Sequence, residues 1–203
     1  MTQPFLTGME NEERRRDLSQ FYTPRDLAVR VAQWMLVTCG QPTSVLEPAA
    51  GPGSLVVAAR ELLPHAHIVA YETHISNVET LKASGFASEV HARDFLAASD
   101  VTRCDVALQN PPFEDDGMIC FPEHALDFCM RATSILPSNV EHSSGRYRKF
   151  WRWHDCQRKV TITKRPVFGG DCSPMADFVV MDLVRRNQSR KQGEPTAMIH
   201  EFW

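Results

Sequence analysis

Apolar positions between residues 23 and 113 follow two alternating periods. Leu27, Val31, Trp34 and Met35 recur at i, i+4, i+7 and i+8 and predict a helix that packs on something. Thr23 is placed to cap that helix, Pro24 to take its first position and Asp26 to favour its positive end; Gly40 and Pro42 end it. Thr43–Glu47 then reads as a short strand, and Leu55, Ala58, Ala59 and Leu62 as one face of a helix stopped by Pro64. Ile68–Glu72 is a second strand, followed by a helix marked by Ile75, Val78 and Leu81 and closed by Gly85. A third strand falls within Ser88–Arg93, and Cys104–Leu108 forms a fourth. Alternation of this kind predicts an α/β fold with a doubly wound, mostly parallel sheet and right-handed crossovers.

Beyond residue 113 the periodicity weakens. Glu114–Gly117 reads as a loop and Pro122–Ser134 as a helix, with Ala125, Phe128, Cys129 and Ala132 on one face. Ile135–Pro137 is left as a stub of a fifth strand, and Val160–Thr163 and Ala176–Val184 read as later strands. The expected organisation is a flexible lead-in over residues 1–19, one domain over 20–186 and a polar tail over 187–203, with Ile199–Trp203 tucking back.

Composition narrows the classes. With 203 residues, 43% of them hydrophobic, the chain can bury one substantial core. It shows no apolar run of membrane-spanning length and no signal-peptide pattern. The six cysteines are scattered without Cys-x-x-Cys pairs, which argues against zinc and against a disulfide framework and predicts a reducing cytoplasm. Charge is uneven. Residues 1–139 carry 10 Lys+Arg against 18 Asp+Glu, and residues 140–203 carry 12 against 7. Within 144–165, eight bases face one acid, Asp155, and Tyr147, Phe150, Trp151 and Trp153 interleave with them. Such a stretch suits phosphates and unstacked bases, with Arg146, Arg148, Lys149, Arg152, Lys164 and Arg165 as candidate contacts. An amphipathic helix with its aromatics packed inward explains the same pattern, and the sequence leaves both readings open.

Ligands of doubly wound sheets bind beyond the carboxyl ends of the strands. At those ends the chain places Glu47-Pro48-Ala49-Ala50-Gly51-Pro52-Gly53, then Glu72, then Asp94-Phe95. Glycines admit a ligand close to the backbone, and an acid at the second strand end suits a ribose diol. The third glycine of a dinucleotide fingerprint is missing, so a nucleoside without pyrophosphate fits, S-adenosylmethionine better than NAD. Glu47 would face the cationic end of that cofactor, and Asp94 and Phe95 would hold and cover its adenine. The fourth strand ends in Asn110-Pro111-Pro112-Phe113, a stiff corner offering an amide, bare carbonyls and an aromatic ring. Those groups suit a flat substrate bearing an amine.

The motifs resemble those of the N6-adenine DNA methyltransferases, amino-group methyltransferases that use S-adenosylmethionine. Phe21-Tyr22-Thr23-Pro24 resembles the family's N-terminal motif, Glu47–Gly53 its glycine motif, Glu72 its ribose acid, Asp94-Phe95 its adenine motif and Asn110–Phe113 its catalytic motif. The match covers residues 20–113. Arg165-Pro166-x-Phe168 followed by Ala176–Val184 is similar to the last strands of small phage-encoded members. The resemblance implies a Rossmann-like methyltransferase fold with a seven-stranded sheet and S-adenosylmethionine as cofactor. It implies cofactor contacts from Phe21, Tyr22, Thr23, Glu47, Pro48, Ala49, Gly51, Gly53, Glu72, Asp94, Phe95 and Asn110. Asn110, Pro111, Pro112 and Phe113 would be catalytic, no metal would be needed, and a flipped adenine in DNA would be the substrate, in a bacterial or phage-infected cytoplasm. Only about 90 residues follow Phe113, so sequence specificity would be low, would come from 144–170 or would need a partner chain. The same corner also serves RNA bases and glutamine side chains, and a subunit that binds without catalysing would keep the fold.

Overall fold

The computed structural model describes residues 22–113, 116–141, 150–152, 154–163, 177–185 and 199–202. Its elements run α1 (Arg25–Cys39), β1 (Ser44–Glu47), α2 (Ser54–Leu62), β2 (His67–Tyr71), α3 (Ile75–Ser84), β3 (Glu89–His91), β4 (Cys104–Gln109), α4 (Gly117–Phe128), β5 (Cys129–Pro137), β6 (His154–Ile162), β7 (Phe178–Arg185) and β8 (Ile199–Phe202). The sheet order is β3-β2-β1-β4-β5-β7-β6-β8. Strand β7 alone runs against the rest, pairing antiparallel with both β5 and β6. The doubly wound, mostly parallel α/β sheet is therefore the expected one. Its seven strands are all present, and β8 adds a short eighth at the β6 edge.

Side-chain alternation explains the two layers. Val45, Ile68, Ala70, Val106, Leu108, Ile135 and Val180 point to one face and pack with α1 and α2. Leu46, Val69, Tyr71, Ala107, Ala132, Leu136 and Met181 point to the other, against Ile119, Phe121, Ala125 and Leu126 of α4. Helices on both faces bury both sides of the central strands, which is why β1, β2 and β4 read as continuous apolar runs. At the amino edge Asp105 locks β1 to β4, accepting from the backbone N–H groups of Thr43 at 2.7 Å and Ser44 at 3.1 Å. Among the described residues no helix is long and apolar enough to cross a membrane.

Three expectations are corrected. Thr23 does not cap α1; Pro24 occupies that position and its carbonyl accepts from Ala28 N–H at 2.8 Å. The helix expected over Pro122–Ser134 begins five residues earlier, at Gly117, and stops at Phe128. Residues 129–134 belong to β5, a nine-residue strand rather than a stub, because Cys129, Ala132, Thr133, Ser134 and Ile135 lie buried between β4 and β7. Strand β6 runs from His154 to Ile162, so that part of the basic stretch is strand. Phe150 there is buried, and Trp151 donates its indole N–H to the Val140 carbonyl at 3.2 Å, so both aromatics pack inward.

Candidate active site

Beyond the carboxyl ends of β1, β2 and β4 lies a cleft of about 260 Å³. It is bordered by the glycine turn after β1, by Glu72 after β2, by Asp94 and Phe95 after β3, and by Asn110–Phe113 after β4. A side cavity of about 30 Å³ adjoins it, lined by Thr23, Glu47, Ala49, Gly51 and Asn110 among others.

The glycine turn is built for close approach. Gly51 has φ 53°, and a Cβ there would stand 3.2 Å from the Tyr22 ring. Gly53 has φ 100°, and its Cβ would meet Leu81 at 2.8 Å. Both positions favour glycine on conformation alone and have little room for a side chain. Glu47 ends β1 almost fully buried. Its Oε1 accepts from Ala49 N–H at 3.3 Å, while Oε2 has no hydrogen-bond partner among the described residues. Burial pushes its carboxyl well above the ordinary range, and the Glu72 charge adds to the rise. A buried carboxylate oxygen without a donor fits a cationic group.

Glu72 has two jobs available. Its Oε1 takes the backbone N–H groups of Thr73 and His74, both at 2.7 Å, and so shapes the turn that leads into α3. The residue also lines the cleft, where a carboxylate can accept from a ribose diol. Asp94 is exposed and turns the chain by accepting from Leu96 N–H at 2.9 Å. Phe95 lines the cleft but is a core ring, 5.3 Å from Tyr71 and 4.8 Å from His124 between centroids.

The corner after β4 is held from three sides. Behind it, buried Gln109 donates Nε2–H to Ser134 Oγ at 2.9 Å. Beside it, Asn110 donates Nδ2–H to Thr23 Oγ1 at 3.1 Å. Below it, Gly117 opens α4 so close to Pro112 that a Cβ would lie 2.2 Å from the Pro112 carbonyl oxygen. The Phe113 ring is half-buried, lines the cleft and sits 5.3 Å from the Phe178 ring.

The structure thus brings Tyr22, Pro48, Ala49, Gly51, Glu72, Asp94, Phe95 and Asn110–Phe113 to one cleft, with Thr23 and Glu47 at its side cavity. Gly53 stands behind as the residue preceding α2. Phe21, Arg146, Arg148, Lys149, Lys164 and Arg165 lie outside the described residues, as do the lead-in 1–19 and the tail segment 187–198. Arg152 is exposed, whereas Lys159 of the same basic stretch is tied to both Glu141 oxygens at 2.9 Å. Sequence reasoning missed Asn77, Arg93 and Gly117. Asn77 is a buried polar residue on a helix, reaching the Tyr22 hydroxyl at 3.4 Å, and that placement was the available signal.

A modification subunit assigned to a type I restriction enzyme of Vibrio vulnificus YJ016 superposes with TM-score 0.66 at 18% identity. The superposition covers 95% of this chain and 52% of that one. The chain has the fold of the S-adenosylmethionine-dependent methyltransferases. The same methyltransferase fold relates it to the 23S rRNA methyltransferase ErmE, at TM-score 0.58 and 22% identity over 82% of this chain and 70% of that one. In sequence it is 26% identical over 103 residues to the type II methyltransferase M.CvrRI of Paramecium bursaria Chlorella virus XZ-6E. The aligned segment spans 51% of this chain and about a quarter, 26%, of the viral protein. No protein-family model matches the chain.

Proposed function

We propose that the chain transfers a methyl group from S-adenosylmethionine to the N6 amine of adenine in DNA, on a base turned out of the duplex. The observation that carries the reading is the Asn110 corner, anchored so that an amide, a Pro111 carbonyl and the Phe113 ring share one cleft with Glu72 and the glycine turn. S-adenosylmethionine would lie along Gly51 with its ribose toward Glu72, its adenine toward Asp94 and its cationic end toward Glu47, and it supplies an electrophilic methyl. The relatives named for type I and type II systems favour DNA, since the modification arm of such systems marks DNA.

The chain's own residues account for the rest. An exocyclic amine is a weak nucleophile because its lone pair is delocalised into the ring. Hydrogen bonds from the amine to Asn110 Oδ1 and the Pro111 carbonyl draw that lone pair out of conjugation and aim it. Phe113 offers a stacking surface that recovers part of the stacking lost by the flipped base. What remains is alignment, a contribution that reaches several kcal/mol. The amine proton leaves to water after transfer, so no titrating base is required.

Incubation with labelled S-adenosylmethionine and duplex DNA, RNA or protein tests this, with nucleoside digestion to locate the methyl. N6-methyladenine in DNA is expected. Label confined to RNA or to protein glutamine would overturn the substrate, and Asn110→Ala retaining turnover would overturn the mechanism.

A further inference from the structure

We propose that Asn77 is a positioning residue on the donor side of the cleft: it holds the Tyr22 ring across the glycine turn and thereby sets cofactor affinity. The proposal rests on the reading of the cleft as an S-adenosylmethionine site. A buried amide is costly unless hydrogen-bonded, so an asparagine on the packed face of a helix needs a partner. Asn77 is 7% exposed and shares the buried face of α3 with Val78 and Leu81. Its partner is the Tyr22 hydroxyl, 3.4 Å from Nδ2 and 55 residues away in sequence. An amide and a phenol can each donate to the other, and the two residues stay linked under either assignment.

The surroundings give that link its consequence. Asn77 and Leu81 lie one helical turn apart on the buried face of α3. A Cβ on Gly53 would meet Leu81 at 2.8 Å, and a Cβ on Gly51 would stand 3.2 Å from the Tyr22 ring. Helix α3 therefore backs one glycine directly and the other through Tyr22. Tyr22, Gly51, Glu72 and Asn77 all border the cleft. Glu72 sets the entrance to the helix through the Thr73 and His74 N–H groups, and the Asn77 N–H follows by bonding to the His74 carbonyl at 3.0 Å. The carboxylate proposed for the ribose thus also places the residue that steadies the ring over Gly51. Losing the Asn77 bond loosens that ring, and part of the binding energy of the nucleoside then goes into ordering it again.

Calorimetry with S-adenosylhomocysteine on the wild type, Asn77→Leu, Tyr22→Phe and the double variant tests the proposal. Asn77→Leu keeps the approximate shape and removes the bond; Tyr22→Phe keeps the ring and removes the hydroxyl. Each single change should weaken binding about fivefold, the scale of one hydrogen bond. The double variant should bind no more weakly than either single one, because both changes remove the same link. In turnover the loss should fall on KM for S-adenosylmethionine, with kcat at saturation held. Wild-type affinity in either single variant, additive losses in the double variant, or a loss carried by kcat would each overturn the proposal. Asn77→Ala completes the same cycle should the leucine variant not fold. A wild type that binds no S-adenosylhomocysteine would overturn the S-adenosylmethionine reading of the cleft, whereas firm wild-type binding unmoved by Tyr22→Phe overturns this proposal alone.

Discussion

Gly117→Ala is the sharpest perturbation of the catalytic corner that touches no proposed reacting group. The added methyl would stand 2.2 Å from the Pro112 carbonyl oxygen and 3.2 Å from both its carbonyl carbon and Cγ. Contacts below 3.0 Å are essentially never seen, so the gap must open by about 0.8 Å, and the obstacle is backbone. Either the first turn of α4 retreats or the Pro112–Phe113 peptide moves, and the second route shifts Asn110 and Phe113 with it. A displacement near 1 Å at reacting groups costs about 10²-fold in rate. Overpacking of this kind destabilises by about 1–3 kcal/mol, which lowers Tm by roughly 2–12 °C in a chain of this size. The assay is kcat against affinity for S-adenosylhomocysteine, with Tm from scanning calorimetry. Cofactor affinity should hold while kcat falls. Gly85→Ala serves as control, because φ is 68° but nothing lies within 4 Å; it should cost about 1 kcal/mol and leave kcat alone. Unchanged kcat and Tm in Gly117→Ala would refute the argument that α4 supports the corner.

The remaining predictions concern buried charge and the aromatic face. Because burial raises the Glu47 carboxyl, the folded apo chain holds a proton there that the unfolded chain releases, so this group's contribution to stability falls as pH rises above the ordinary carboxylate range. Glu47→Gln should therefore flatten this pH dependence of Tm, and an unchanged slope would contradict the burial argument. Arg131 pairs with fully buried Asp182, whose carboxyl is pushed up chiefly by burial; Arg131→Met should cost about 3–5 kcal/mol in urea unfolding, less at low pH where Asp182 is neutral. A deficit that does not shrink with acid would contradict this. Phe113→Ala should reduce kcat and weaken substrate DNA binding with cofactor affinity intact; weakened cofactor binding would place the ring on the donor side instead.

The strand order around the site was legible because β1, β2 and β4 are buried on both faces and therefore print as short apolar runs between breakers. Glu47 and Glu72 were legible for the same reason, each being the first polar group after such a run, and the Asn110 corner because its two prolines end the β4 run one residue after Gln109. What stayed hidden depended on partners distant in sequence. Thr23 looks like a helix cap until Asn110 is folded against it. Gly117 looks like loop filler until Pro112 is seen above it. Strand β5 was hidden by its own burial: Ala132, Thr133, Ser134 and Ile135 are all enclosed, so no period of two remains to betray a strand. The inward packing of Phe150 and Trp151 had equal support as a binding surface, because aromatic spacing does not reveal which side solvent lies on.

The glycine turn, Glu72 and Asp94, proposed for the methyl donor, are encoded before residue 96, and the Asn110–Phe113 corner proposed for the acceptor after residue 109. The two blocks meet at the β1–β4 ladder, with Val45 beside Val106 and Leu46 beside Ala107. A single genetic crossover in the segment between them would trade one acceptor corner for another and leave the donor site whole. The price of such an exchange is small and local: the incoming block must bring an Asp105 for Thr43 and an Asn110 for Thr23. A fold arranged this way can diversify what it marks without relearning how to carry the mark.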